Sequence, residues 1–204
     1  MRVLALADRA QYAFWFAGTL LCGLYAGAQV ESHIYQAVED RRLDQALLSG
    51  STHPSSVQPR GSSPRAVGSL VGRLEIPRLK LKAMVLEGTE NSTLRRGIGR
   101  LPETADPGQE GNVVLSGHRD TFFRPLHGIA AGDHIRLVTP EGAYRYVVEW
   151  TAVVNPADTA AIGATAERSL TLVTCYPFRY LGPAPQRFIV RARQVMPAAM
   201  NPAS

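Results

Sequence analysis

From residue 70 onward the chain consists of short apolar segments separated by turn residues, and this alternation restricts the fold more than any other feature. Gly, Pro and Asp fill the connections, as in Pro140-Glu141-Gly142, while apolar and β-branched residues fill the segments. The predicted strands are 70–76, 83–86, 112–115, 134–138, 144–154, 170–174 and 188–192, and short helical turns are predicted at 91–96 and 124–129. Without long helices between the strands, a βαβ sheet is excluded. The pattern predicts an all-β domain, a closed or nearly closed barrel of about eight strands.

The N-terminal region differs because residues 10–30 contain no charged side chain. An apolar run of this length predicts a transmembrane helix. Trp15 and Tyr25 lie near its ends, where interfacial aromatic residues are expected.

Charges on either side of this run predict its orientation. Arg2 and Arg9 precede it and Glu31 follows it, so the positive-inside rule predicts a cytoplasmic N-terminus and an extracytoplasmic domain. The alternative is a cleaved signal peptide, because Ala26-Gly27-Ala28 has the form of a cleavage site. The length of the run exceeds that of an ordinary signal peptide and favours the uncleaved anchor.

The predicted organisation has five parts. Residues 34–48 space their apolar side chains as a short helix does, and residues 51–65 are rich in Pro, Ser and Thr, which is typical of a flexible tether. The parts are a cytoplasmic N-terminus (1–9), a transmembrane signal anchor (10–30), a short helix with the tether (31–66), a folded β domain (67–196) and a tail (197–204).

Charge and cysteine content exclude several classes of function. The formal net charge of +5 is spread without a dense basic block, which favours an anionic surface as a neighbour but not nucleic acid. The two cysteines are Cys22, inside the apolar run, and Cys175, so both are expected to be free thiols. Without a Cys-x-x-Cys pair or Cys/His spacing, zinc and iron–sulfur sites are excluded.

Cys175 lies at the end of the predicted strand 170–174, shortly before Pro177, which cannot donate to a strand ladder. Alone, such a cysteine is more often a small buried apolar side chain than a nucleophile. A nucleophilic thiolate needs a base or cation beside it, and an acyl-transfer intermediate needs a donor for its oxyanion. The chain offers candidates for both.

His118 is the candidate base, because it follows Gly117 at the end of the predicted strand 112–115, where a side chain can point into a cleft. Arg187 is the candidate donor, because it opens the last predicted strand. If that strand lies beside the strand of Cys175, the two residues are within reach. The alternatives are His127 for the base, and Arg119 and Arg179 for the donor.

Three segments in this order resemble the signature of the sortases, the cysteine transpeptidases of bacterial envelopes. They are residues 111–120 (GNVVLSGHRD), residues 171–175 (TLVTC) and the region of Arg187. The likeness extends over about residues 71–195. The amino-acid sequence around Cys175 and Arg187 is most similar to that of sortases from Gram-negative bacteria.

The resemblance implies a closed eight-stranded sortase-type β-barrel with short helices. It assigns the nucleophile to Cys175, the general acid/base to His118, oxyanion stabilisation to Arg187 and a substrate contact to Thr174. The expected reaction cleaves a Leu-Pro-x-Thr-like sorting signal on a secreted protein through a thioacyl enzyme, which an amine acceptor resolves. No cofactor is implied, and no metal, because the acidic cluster that binds calcium in some relatives is missing. The expected location is the cell membrane, single-pass, with an extracytoplasmic domain that is periplasmic if the cell is Gram-negative.

Three other functions fit part of the pattern. A membrane-anchored cysteine peptidase would use the same Cys and His with water as acceptor, and an L,D-transpeptidase would need a Ser-His-Gly-Cys cluster that is absent. A non-catalytic β-barrel adaptor would keep Cys175 buried and unreactive. Residues 101–105 (LPETA) look like a sorting signal, but no apolar helix and basic tail follow them, so a structural loop is predicted.

Overall fold

The structure is a computed structural model that describes residues 2–49 and 65–195. The described helices are α1 (Arg2–Ser49) and α2 (Asn91–Arg96). The strands are β1 (Leu70–Ile76), β2 (Leu81–Glu87), β3 (Ile98–Arg100), β4 (Asn112–Ser116), β5 (His134–Thr139), β6 (Gly142–Val154), β7 (Ser169–Tyr176) and β8 (Gln186–Val195). Short 3₁₀ turns occupy Pro77–Leu79, Arg124–Gly128 and Ala160–Ile162.

The strands close into a barrel in the order β1-β2-β3-β4-β7-β8-β6-β5. The pairs β2–β3 and β4–β7 are parallel, and the other pairs are antiparallel. Closure removes the unpaired sheet edges that would otherwise invite aggregation. The predicted closed eight-stranded barrel is therefore confirmed. The sequence does not reveal β3, because Ile98-Gly99-Arg100 is too short to form an apolar run.

The core fills the barrel with alternate residues of each strand. On β7 these are Leu170 and Leu172, which lie opposite inward-facing residues of β4 and β8. Because successive side chains of a strand point to opposite faces, the intervening residues face the outer surface. The outward set on β7 includes Thr171 and Cys175. The even alternation thus determines which residues can meet a ligand on the outside of the barrel.

α1 is one continuous helix, whereas the sequence predicts a transmembrane helix followed by a separate short helix. No proline lies between its ends, so nothing in the chain forces a break. Its C-terminal part packs on the barrel, where Leu43 is buried against Met84 and Val138. Arg73 of β1 donates to Asp40 and Asp44 of α1 at 2.6 and 2.8 Å. Ion pairs and apolar contacts together fix this part of α1 to the barrel.

No helix in the described ranges 2–49 and 65–195 combines the length and the apolar character needed to cross a membrane. The predicted tether lies outside the described residues except at its last residue, Arg65, and so does the predicted tail.

Candidate active site

Cys175 lies near the end of β7, which stops at Tyr176 before Pro177, as the sequence predicts. Because side chains alternate along a strand and Leu172 points into the core, the side chain of Cys175 points to the outer face of the barrel. The thiol is free and half-buried. Cys22, the second cysteine, is free and exposed on α1, so the expected pair of free thiols is confirmed.

Arg187 is the direct cross-strand partner of Cys175 in the antiparallel β7–β8 pair. Residues that face each other in such a pair have Cβ atoms about 4.5–5.5 Å apart and share one face of the sheet. The Arg187 side chain donates to the carbonyls of Gln186 and Ala184 at 3.0 and 3.4 Å. Within the described part of the chain it makes no ion pair, so its charge is not neutralised by a carboxylate.

His118 is brought towards Cys175 by the parallel β4–β7 pair. Ser116 is paired with Val173, and two residues further along each chain come His118 and Cys175. Neighbouring strands lie about 4.7–4.9 Å apart, so a continuation of this register would put His118 and Cys175 at neighbouring positions on the same face of the sheet. The Gly117 N–H still donates to the Val173 carbonyl at 3.2 Å, which holds the chains together up to this point. His118 is half-buried and lines a cavity of about 760 Å³.

Thr174 is buried, with 2% of its surface exposed, and its hydroxyl donates to the Gly117 carbonyl at 2.7 Å. This side chain therefore ties β7 to the backbone that immediately precedes His118. The substrate contact that the resemblance implies for Thr174 stays a prediction.

Gly117 allows the turn that carries His118 to fold onto the core. A Cβ atom at this position would lie 2.8 Å from the ring of Phe123, which is fully buried. Such a contact is too short for any side chain, so the close approach of backbone and ring requires glycine.

His127, the competing histidine, lies outside this constellation. It is exposed on the turn Arg124–Gly128, where its Nδ1–H donates to the Arg124 carbonyl at 2.8 Å. Its ring meets Phe178 edge-on with 6.2 Å between centroids. Phe178 belongs to an aromatic group with Tyr176 and Phe188 beside the end of β7. His127 thus has contacts of its own that account for its position.

The two alternative arginines are also placed differently from Arg187. Arg119 donates to the carbonyls of Tyr180 and Gly182 at 2.9 and 3.1 Å, and so links the turn after β4 to the loop between β7 and β8. Arg179 is exposed on that loop. Of the three candidates, Arg187 is the one in register with Cys175.

At the other end of the same outer face, the polar residues bond to one another. Asn112 accepts from Ser169 and Thr171 at 3.2 and 2.8 Å, and it donates to the carbonyls of Ile162 and Gly163. These two carbonyls belong to the loop between β6 and β7, which covers this end. The sequence does not indicate this network, because its members are separated along the chain.

Arg191 completes this network. It donates to the Ser169 hydroxyl at 3.0 Å and to the Ala161 carbonyl at 2.7 Å, and its guanidinium lies over the Trp150 ring at 5.7 Å. Burial lowers the pKa of Arg191, because the charged form is partly removed from water.

Residues 101–105, which look like a sorting signal, lie in the loop between β3 and β4, and the Leu101 and Ala105 N–H groups donate to the Val114 and Asn112 carbonyls of β4. The Thr104 hydroxyl donates to the Leu101 carbonyl at 2.7 Å, and Arg100 donates to the Thr104 carbonyl at 2.7 Å. The predicted structural loop is confirmed.

The site thus combines a thiol, an imidazole and a guanidinium that has no ion-pair partner among the described residues. Groups of these three kinds can supply a nucleophile, a proton donor and acceptor, and a cation for a developing oxyanion, which are the requirements of acyl transfer through a thioester. Within residues 2–49 and 65–195, no three His, Cys, Asp or Glu side chains converge in a way that could hold a metal ion.

Comparisons with known proteins agree with this chemistry. The profile of the Sortase domain family matches residues 74–195, which is more than half of the chain. Sortase D of Bacillus subtilis is 39% identical over 129 residues, 63% of this chain and 65% of the relative, and sortase A of Bacillus anthracis is 26% identical over 149 residues, 71% of this chain and 66% of the relative. The chain therefore spans slightly less than two thirds of the length of both curated relatives.

A solved structure of a Clostridium perfringens sortase D5 transpeptidase superimposes with a TM-score of 0.60 and 26% identity, covering 65% of this chain and 83% of that chain. These similarities agree with the family suggested by the sequence. The narrower resemblance to sortases of Gram-negative bacteria stays a prediction.

Proposed function

The chain belongs to the sortase family, and on that premise we propose that it is a cysteine transpeptidase of the bacterial envelope. The observation that carries the proposal is the cross-strand pairing of Cys175 with Arg187, beside the strand end that leads to His118. This arrangement supports a reaction in which a peptide bond of one protein is exchanged for an amide bond to an amine acceptor.

In the first half-reaction, the Cys175 thiolate attacks the carbonyl of the threonine in a Leu-Pro-x-Thr-like signal. A C–S bond forms, and the oxyanion is stabilised by Arg187. His118 then donates a proton to the departing amine as the C–N bond breaks, which leaves a thioacyl enzyme.

In the second half-reaction, the nitrogen of the acceptor amine attacks the thioester. A C–N bond forms and the C–S bond breaks, while His118 takes the proton from the nitrogen and Cys175 leaves as a thiolate. Both steps are acyl transfers, so no oxidant, reductant or cofactor enters the balance.

The experiment is incubation of the full-length protein in detergent with a labelled Leu-Pro-x-Thr-containing peptide, with and without an amine, followed by mass spectrometry. The expected products are a thioacyl adduct on Cys175 and an amide to the added amine. If water is the acceptor whether or not amine is present, the protein is a cysteine peptidase instead. If Cys175 neither forms an adduct nor reacts with a thiol label, the adaptor function is favoured.

The membrane anchor and extracytoplasmic domain belong to the same proposal. Residues 10–30 carry no charge, and on the described helix Phe14, Trp15 and Phe16 are 82%, 69% and 73% exposed. Exposed apolar surface of this extent is typical of a membrane or protein contact. We expect the protein to stay with membranes after alkaline extraction, and a Leu20→Arg, Leu21→Arg double variant to be released. Complete recovery of the unmodified protein in the soluble fraction would contradict the anchor.

A further inference from the structure

The cavity beside His118 is formed by four parts of the chain. α1 contributes His33 and Gln36, the start of β2 contributes Lys82, α2 contributes Arg95, and the turn after β4 contributes His118 itself. Its volume is about 760 Å³, which is ample for a small ligand. His118 is therefore the residue that this cavity shares with the candidate active site.

The wall that α1 supplies is held in place by a two-sided amide contact. Gln36 donates from Nε2 to the Arg96 carbonyl at 2.6 Å, and its Oε1 accepts from the Met84 N–H at 2.8 Å. Arg96 in turn lies over the ring of Tyr35 at 5.2 Å. α1 is thus bonded to β2 and to α2, and the cavity has a defined shape.

The charge of the cavity lining is mainly positive. Lys80, Lys82 and Arg95 line it, and Asp120 is the acidic residue among the lining side chains. Lys82 donates to Asp40 at 2.7 Å, which neutralises it. Lys80 and Arg95 have no ion pair with any residue in the described ranges. Two cations without partners therefore share one cavity with the candidate acid/base.

We propose that this cavity binds the amine acceptor of the second half-reaction through an anionic group, a phosphate or a carboxylate, held by Lys80 and Arg95. This inference rests on the proposed transpeptidase function and adds the chemical class of the second substrate. An amine whose anionic group is held in the cavity approaches the thioester from the His118 side. His118 is then placed to take the proton that the attacking nitrogen loses.

The test compares three acceptors that present the same primary amine: ethanolamine, O-phosphoethanolamine and β-alanine. The full-length protein in detergent is charged with the labelled peptide, and kcat/KM is measured for each acceptor in the unmodified protein, Lys80→Gln and Arg95→Gln. An exposed ion pair strengthens binding by at most about 5-fold, so each substitution should reduce the preference for the anionic acceptor by up to about 5-fold. A preference for O-phosphoethanolamine would identify the anionic group of the natural acceptor as a phosphate, and a preference for β-alanine would identify it as a carboxylate.

Arg145→Gln is the matched control, because Arg145 is exposed on β6 and does not line the cavity. Its acceptor preference should equal that of the unmodified protein. Because the same acceptors are compared in every variant, differences in amine basicity cancel. The inference is overturned if the ratio of kcat/KM for charged and uncharged acceptors is the same in the unmodified protein, Lys80→Gln and Arg95→Gln.

A binding measurement separates this inference from the proposed function. Calorimetric titration of O-phosphoethanolamine into the full-length Cys175→Ala variant requires no turnover. Binding that is weakened, by up to about 5-fold, in Cys175→Ala, Lys80→Gln supports the cavity assignment even if no transfer product forms. No binding to Cys175→Ala, with normal transfer by the unmodified protein, overturns the cavity assignment and leaves the proposed function intact.

Discussion

Arg187 and Arg191 lie on the same face of β8, but they have opposite surroundings. Arg191 is buried, bonded to Ser169 and Ala161, and covered by Trp150. Arg187 is more exposed and lies opposite a free thiol, and its hydrogen bonds within the described residues go to the Ala184 and Gln186 carbonyls. The covering loop between β6 and β7 makes the difference at the Arg191 end, where it supplies acceptors. The Arg191 end of this face is therefore its covered end, and the end with Cys175 and Arg187, which are half-buried, is its open end.

β7 shows the same contrast, because Thr171 and Cys175 lie on the same outer face of this strand. Thr171 is fully buried and donates to Asn112, whereas Cys175 is half-buried. Polar side chains at the covered end satisfy one another, as buried polar groups must. At the open end, neither Cys175 nor Arg187 bonds to another side chain of the described residues. Substitutions at the covered end should therefore lower the stability of the protein, whereas substitutions at the open end should lower its activity.

The largest effect is expected at Cys175. Cys175→Ala should abolish both peptide cleavage and the thioacyl adduct, because no other described residue at the site can act as the nucleophile. Thermal unfolding should stay within a few degrees of the unmodified protein. Retained turnover in this variant would show that the open end is not the site of covalent catalysis.

The second largest loss of activity is expected at His118. His118→Ala is expected to lose about 10²–10⁴-fold in kcat, the usual contribution of a positioned general acid/base. His127→Ala is the matched control, since His127 is exposed and already bonded to Arg124. Steady-state kinetics on one peptide–amine pair decide between them, and the reverse ranking would move the acid/base assignment to His127.

Substitution of Arg187 should reduce activity less than substitution of His118. Arg187→Ala is expected to reduce kcat by about 10²–10³-fold and to change KM less, because the oxyanion develops in the transition state and is absent from the bound substrate. Arg187→Lys should recover little if two donors must be aimed at once, because lysine lacks the planar fork. Arg179→Ala serves as the control on the adjacent loop. A severe loss in Arg179→Ala with a mild one in Arg187→Ala would reassign the oxyanion donor.

The open end could be predicted from the sequence to a large degree, and the covered end could not. Cys175, His118 and Arg187 each lie at a strand end, and strand ends are marked in the sequence by Gly117 and Pro177. The network around Asn112 joins distant parts of the chain through backbone carbonyls of a loop. No local pattern encodes such long-range bonds, because carbonyl acceptors look the same at every residue.

β3 and the continuity of α1 are the parts of the fold that the sequence does not reveal. The barrel follows from alternation along each strand, which is a local property, but β3 has only three residues and no alternation to detect. The continuity of α1 and its role as a cavity wall depend on Gln36 meeting Arg96 and Met84, which lie far away in sequence. Where the local sequence pattern is compatible with more than one structure, tertiary contacts of this kind decide which structure forms.

At the covered end, Arg191→Lys should lower the free energy of unfolding by about 1–3 kcal/mol, because lysine lacks the planar fork and loses at least one of the charge-assisted bonds to Ser169 and Ala161. Arg193→Lys, at an exposed position on the same strand, should change it by less than about 0.5 kcal/mol. Chemical denaturation measures both. Equal effects would mean that the covered end contributes nothing special to stability.

The smallest effect is expected at Thr174, which lies between the two ends and tests how they are joined. Thr174→Val keeps the shape of the side chain but removes the hydrogen bond to the Gly117 carbonyl, which should cost about 1 kcal/mol of stability. Since Gly117 precedes His118, the loss should also reduce kcat, by less than 10²-fold because His118 itself remains. Thr174→Ser retains a hydroxyl and should restore most of both. If Thr174 instead contacts the peptide directly, the valine variant should raise KM and leave kcat unchanged. The split between kcat and KM therefore decides whether this buried hydroxyl positions the acid/base or holds the substrate.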